Sequence, residues 1–160
     1  MIKRLRTFPQ PAAARGVTMI EALVALVLLS VGMLGIATLY LTTLHAARSA
    51  ISRMQAVNLV TDLADRIRAN RTAGAAYAGA AANNNCIGSA LGAVTCTPAQ
   101  MAANDLFQWQ AMVTANGILT GAPVSLVTFV AGAPNTYTIS LTWTEAREAA
   151  PLNYTVNFQL

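Results

Sequence analysis

Three kinds of hydrophobic pattern follow one another along this chain. From Ala22 to Leu44 the run ALVALVLLSVGMLGIATLYLTTL contains no charged side chain. At ~1.5 Å rise per residue such a helix is about 35 Å long, enough to cross a ~30 Å hydrocarbon core. From Ile51 the pattern becomes amphipathic, with Ile51, Met54, Val57, Leu59, Val60, Leu63 and Ile67 recurring at three- and four-residue spacing. Asp62 and Arg66 add an i,i+4 pair in the favourable acid-first order. No proline falls between Pro11 and Pro98, so the spacing predicts one helix from about Thr18 to Arg71, roughly 80 Å long.

At Thr72 the composition turns to Ala, Gly and Asn without periodicity, which predicts a long loop running to Cys96. A second helix follows. Thr97 and Gln100 make a capping-box pattern, Pro98 suits the first helical position and Gly117 can end the helix, with Met101, Leu106, Trp109, Met112 and Val113 as its buried stripe. The last third alternates with period two: Tyr137, Ile139, Leu141 and Trp143 in one run, Tyr154, Val156, Phe158 and Leu160 in another, with a third strand at Ser125 to Val130. The breaks at 131–135 and 145–151 suit loops between antiparallel neighbours. This sheet has one apolar face, and the outward part of the long helix is the obvious cover for it. The expected class is α+β, a head on a helical stalk.

Composition sharpens the first element. The chain is 55% hydrophobic and only 10% charged, against about 25% charged in ordinary soluble domains, which points to a membrane segment in one domain of 160 residues. The formal charge of +4 is confined to Lys3, Arg4, Arg6 and Arg15; from Val17 onward six arginines face six acids. No concentrated basic face follows the tail, which argues against nucleic-acid binding. The basic residues ahead of the span put the N-terminus in the cytoplasm and the head outside. The run exceeds the ~7–15 residues of a secretory h-region, and the small-residue site behind it, LHAARSA, is weak.

At the border between tail and span stands RGVTMIEALVAL. A carboxylate beside an unbroken apolar run is costly in lipid, so Glu21 needs a reason. One is local: Thr18 and Glu21 fit a T-x-x-E capping box, and an acid in the first turn complements the helix dipole. The other is a specific charge partner in another molecule. The segment resembles the class III signal of type IV prepilins and type II secretion pseudopilins. That resemblance implies that Gly16 ends a leader spanning 1–16, that prepilin peptidase cuts between Gly16 and Val17, that the new Val17 amine is methylated, and that Glu21 is the glutamate fifth in the mature chain. The family usually has Phe at the position of Val17. A cut there removes all four basic anchors, and Glu21 can then pair with the amine of a neighbouring Val17 in one axial register, acting as a registry device.

The resemblance extends further. GVTMIEALVALVLLSVGMLGIATL, the continuation ending DRIRAN, the segment CTPAQMAANDLFQW and the strand TYTISLTW together are similar to the PilV family of type IV pilus minor pilins. It implies a pilin-like fold: a helix over 17–71 whose part 22–44 crosses the inner membrane, and a globular head over 72–160 carrying the antiparallel sheet and the short extra helix. It also implies partners, namely other minor pilins, the major pilin, prepilin peptidase and the inner-membrane assembly platform. The same resemblance implies a single-pass inner-membrane protein with a periplasmic head before assembly, and a place in the pilus at the cell surface afterwards.

The head of such a protein is in an oxidising compartment, where Cys86 and Cys96, at the end of the loop, are expected to form a disulfide. Two cysteines and one histidine cannot supply a four-ligand structural zinc site, and no cofactor is expected. His45 falls where the span meets water, with no acid within ten residues, and reads as interfacial. Asp105, Glu145 and Glu148 read as solvated or paired with Arg147, and Trp109 and Trp143 as core anchors. No nucleophile, base and orienting group come together, so the chain is not read as an enzyme. Four functions stay open: a minor pilin that primes or tips the pilus, a type II secretion pseudopilin acting in protein export, a surface receptor for DNA or another ligand, and a membrane-tethered enzyme.

Overall fold

The computed structural model describes residues 16–86, 95–115, 117–146 and 148–160. Helix α1 runs Met19–Ala69, a 3-10 helix Arg71–Ala78, helix α2 Pro98–Ala115, and strands β1, β2 and β3 Val124–Val130, Thr136–Trp143 and Leu152–Gln159. The fold is α+β: a long N-terminal helix, a short second helix and a three-stranded antiparallel sheet in the order β1-β2-β3. The chain divides into two units after Leu44.

In the first unit every described residue is exposed, including Leu23, Leu26, Leu29, Met33, Ile36 and Leu39. A helix apolar on all sides suits a lipid environment or a bundle, because no face of it prefers water. Four of its hydroxyls are satisfied within the helix. Ser30, Thr38, Thr42 and Thr43 each donate to the carbonyl three residues back, at 2.7–2.8 Å. Among the described residues, α1 is the one helix long and apolar enough to cross a membrane.

The second unit, His45–Leu160, holds the core. There α1 buries Ser52, Ala56, Leu59, Val60, Leu63, Ala64 and Ile67. This corrects the predicted stripe at its start: Ile51 and Met54 are 55% and 65% exposed, and Val57 is exposed too. Small side chains at 52 and 56 occupy the covered face, so the larger ones at 51, 54 and 57 stand on the outer one. Opposite lies β2, whose Tyr137, Ile139, Leu141 and Trp143 are all buried. The register aligns Phe129, Tyr137 and Phe158 across the three strands. Tyr137 tilts against Phe129 at 5.1 Å between centroids and stacks on Phe158 at 5.5 Å. Arg68 of α1 lies 4.9 Å above the Phe158 ring.

The predicted single apolar face of the sheet holds for β2 and β3 but not for β1. Val124, Leu126 and Val130 are exposed on the outer side, because SLVTFV is a nearly continuous apolar run rather than an alternating one. Helix α2 begins as predicted: the Thr97 N–H donates to Gln100 Oε1 at 3.0 Å and the Gln100 N–H to Thr97 Oγ1 at 3.3 Å. Gly117 takes φ +65, the left-handed region that suits a helix stop. The buried stripe is shifted to Ala102, Asn104, Asp105, Leu106, Trp109 and Val113, with Met112 on the exposed side. The Trp109 indole N–H donates to the Leu59 carbonyl at 2.7 Å and so fixes α2 against α1.

The predicted long loop after Thr72 is corrected in its first part. Residues Arg71–Ala78 form short 3-10 turns on either side of a kink at Gly74, which is non-helical at φ +51, and Tyr77 points into the core with no exposed surface. In an Ala/Gly run without periodicity the one aromatic side chain supplies the burial that orders the segment.

Candidate functional site

Gly16 and Val17 precede α1 in exposed, non-helical backbone, and a Cβ added at Gly16 would meet nothing within 4 Å. The first turn of α1 is closed by the backbone: the Glu21 and Ala22 N–H groups donate to the Thr18 carbonyl at 3.1 and 3.2 Å. Among the described residues no side-chain hydrogen bond joins Thr18 to Glu21, so the expected capping box does not form. The same pattern closes reciprocally at Thr97 and Gln100, where Pro98 fixes φ at the first helical position. Thr18 has no such neighbour. Glu21 therefore stands exposed in a first turn flanked by Val17, Met19, Ile20, Leu23 and Val24, with no ion pair among the described residues. The remaining leader residues 1–15, with all four basic side chains, lie outside the described residues.

Cys86 and Cys96 are joined in a disulfide with Cα atoms 5.7 Å apart. Cys86 is buried, and the bond ties the chain after the 3-10 helix to the start of α2. Nearby, the Asn70 side-chain N–H donates to the Pro98 carbonyl at 2.9 Å. No group of three or more metal-ligating side chains occurs among the described residues.

The head acids are not simply solvated. Asp105 is buried, receives the Tyr77 hydroxyl at 2.7 Å on Oδ2 and faces Arg66 at 3.4 Å on Oδ1. Arg66 also pairs with Asp62 at 2.9 Å, so the predicted i,i+4 pair is one edge of a larger network. Burial, and then the hydrogen bond to Asp105, push the Tyr77 hydroxyl well above the usual phenol range. Glu145 accepts from the Ser52 hydroxyl and from the Trp143 indole N–H, the latter at 3.2 Å. Hydrogen bonding from Ser52 outweighs burial and, helped by Trp143, Ser49 and the charge of Arg53, holds its carboxyl below the ordinary value. Arg147, the expected partner of these acids, has a side chain outside the described residues.

Sequence spacing also missed what surrounds His45. It shares the lining of a cleft of about 490 Å³ with Arg48 and Ser52 on α1 and with Glu145 and Glu148 after β2. The acids lie far away in sequence, so a ten-residue window around His45 could not find them.

Comparison with known families places two matches end to end. Residues 12–37 match the prokaryotic N-terminal methylation motif, and residues 38–107 match the Tt1218-like family, described as type IV pilin Tt1218. No curated protein matches the chain. No solved structure matches it either. The match to the type IV pilin family covers the buried part of α1, the 3-10 helix and the first half of α2, and the methylation motif ends where that match begins.

Proposed function

We propose that this chain is a minor pilin of the type IV pilus, of the PilV kind, made as a prepilin and built at low copy number into the complex that primes or tips the filament. The observation that carries this reading is the pairing of an all-round apolar, wholly exposed helix segment with a first-turn carboxylate that has no partner among the described residues. Both features call for neighbours of the same kind, since a bundle of such helices buries the apolar surface and supplies an amine to each Glu21.

In this reading prepilin peptidase cuts between Gly16 and Val17 on the cytoplasmic side and methylates the Val17 amine. The open space around Gly16 means that a restriction to a small residue there comes from the peptidase, not from packing within this chain. Residues 22–44 hold the chain in the inner membrane with the head in the periplasm until the assembly platform extracts it. Loss of Lys3, Arg4, Arg6 and Arg15 with the leader leaves a neutral mature chain and eases that extraction. In the filament, Glu21 pairs with the Val17 amine of a neighbour, which is possible in one axial register only. The disulfide-bonded head faces other minor pilins and the major pilin.

Processing is tested by intact mass. The membrane form should begin at Val17 and carry one added methyl group; a form that begins at Met1 with the peptidase present refutes the prepilin reading. Registry is tested by Glu21→Gln. Because no capping bond is made, this substitution removes no side-chain hydrogen bond or ion pair among the described residues, so a defect in the cleaved form reports on neighbours. The cleaved mutant should be depleted from sheared pili by about tenfold or more, since an uncompensated buried charge costs about 3–5 kcal/mol. Wild-type incorporation of the cleaved mutant refutes the pairing. A secretion pseudopilin would have the same anchor, and gene deletion separates the two: loss of pili at normal major-pilin levels for a priming subunit, loss of protein export for a pseudopilin.

A further inference from the structure

The cleft beside His45 separates two kinds of group. On α1, His45 and Arg48 are three residues apart and share one helix face, presenting N–H donors. The carboxylates of Glu145 and Glu148, from the segment after β2, line the same cleft, with Glu145 bonded to Ser52 one turn beyond Arg48. Among the described residues, neither His45 nor Arg48 nor the Glu148 side chain takes part in an ion pair or side-chain hydrogen bond. Glu145 is held in place, because the nearly buried Ser52 and the Trp143 indole both donate to its Oε1. The volume of about 490 Å³ falls in the ~300–1,000 Å³ range of small-molecule clefts.

Chain position restricts what can fill it. His45 follows directly on the apolar run 22–44, and Arg48 comes one turn later on the same helix. At ~1.5 Å per residue, both fall within about 6 Å of the end of that run, which is the depth of one headgroup layer if the polar regions add roughly 10–15 Å to a ~30 Å core. We infer that the cleft binds the headgroup of an amine-bearing zwitterionic phospholipid, of the phosphatidylethanolamine class, with its phosphate on His45 and Arg48 and its ammonium against Glu145 and Glu148. A primary ammonium donates hydrogen bonds to carboxylates, and a choline headgroup has no N–H to offer, so the acid wall discriminates between the two. An anionic glycerol headgroup would place no cation there. The inference rests on the proposed membrane insertion of residues 22–44.

The test uses the full chain in phosphatidylcholine nanodiscs containing equal small fractions of phosphatidylethanolamine and phosphatidylglycerol, with retained lipids identified by native mass spectrometry. The wild type should retain phosphatidylethanolamine over either competitor by about fivefold, the effect of roughly one surface charge. Arg48→Gln and Glu148→Gln should each bring the preference close to unity, while Arg71→Gln, away from the cleft, should keep it. The Glu148 side chain makes no hydrogen bond or ion pair among the described residues, so its variant removes none of the bonds that hold the head. Equal retention of the three lipids by the wild type, or a preference untouched by both cleft variants, overturns the inference. Free phosphoethanolamine offered to phosphatidylcholine-only discs should stay unbound; its saturable binding would assign the cleft to a soluble solute and overturn the lipid reading. Carbonate washing of vesicles tests the span separately. A chain that washes off refutes membrane insertion, whereas one that stays without a lipid preference refutes the cleft alone.

Discussion

Tyr77→Phe removes one oxygen from the centre of the head and almost nothing else. Tyr77 has no exposed surface, and its hydroxyl lies 2.7 Å from Asp105 Oδ2, 3.2 Å from the Arg66 carbonyl and 3.4 Å from the Asn70 side-chain nitrogen. A hydroxyl has one proton, and the short contact to a charged acceptor takes it. Phe fits the same space, so no sizeable cavity opens and the cost is that of the hydrogen bond. A hydrogen bond to a charged group contributes about 1.5–3 kcal/mol, and here its loss leaves a buried carboxylate with Arg66 at 3.4 Å as its nearest donor. The expected destabilisation is therefore about 2–3 kcal/mol. Urea titration of the full chain in detergent micelles, followed by the fluorescence of Trp109 and Trp143, reads it directly. With a slope of about 1–3 kcal/mol per molar, the midpoint should fall by roughly 0.7–3 M at unchanged slope. Asp105→Asn combined with Tyr77→Phe should show a coupling of about 1 kcal/mol or more, as expected for groups in one network. A Tyr77→Phe midpoint equal to that of wild type would refute the claim that this network braces the head.

The raised Tyr77 pKa sets the sign of an alkaline effect. In the unfolded chain the group titrates near 10.0 and in the fold at higher pH, so above pH 10 the unfolded state has lost a proton that the native state keeps and stability falls as pH rises. Urea midpoints from pH 8 to 11 should drop less steeply in Tyr77→Phe, with a residual slope from Tyr137, which burial also raises; identical slopes in both proteins would contradict this. Gly121→Ala should destabilise the head by about 2–4 kcal/mol, because Gly121 sits at φ +74 and an added Cβ would fall on Thr144 Oγ1 and 2.9 Å from Thr144 Cβ. Adding Thr144→Ala removes the overlap with Oγ1 but keeps the 2.9 Å contact with Cβ, so it should recover part of the loss, and failure to recover any stability would show that the contact is not the cause.

Most of the fold is legible in the sequence because its elements are periodic over long stretches. The apolar run, the amphipathic continuation and the strict alternation of β2 are each local patterns, and the structure places them at Met19–Ala69 and Thr136–Trp143. Motif reading is weaker where a motif names bonds. T-x-x-E at Thr18 and T-x-x-Q at Thr97 look alike in sequence, yet only the second forms, beside a proline that fixes the helix entry. What spacing cannot show is polar pairing across long separations. Tyr77 meets Asp105 over 28 residues, Trp109 meets Leu59 over 50, and Ser52 meets Glu145 over 93. Each pair satisfies a group that would otherwise be buried at a cost, and neither partner announces the other locally. Asp105 and Glu145, read as solvated or paired with Arg147, are held by Tyr77 and Arg66 and by Ser52 and Trp143. In a chain with so few charged residues, an acid outside a helical pair is therefore worth testing for a distant partner, although Glu21 and Glu148 have no side-chain partner among the described residues.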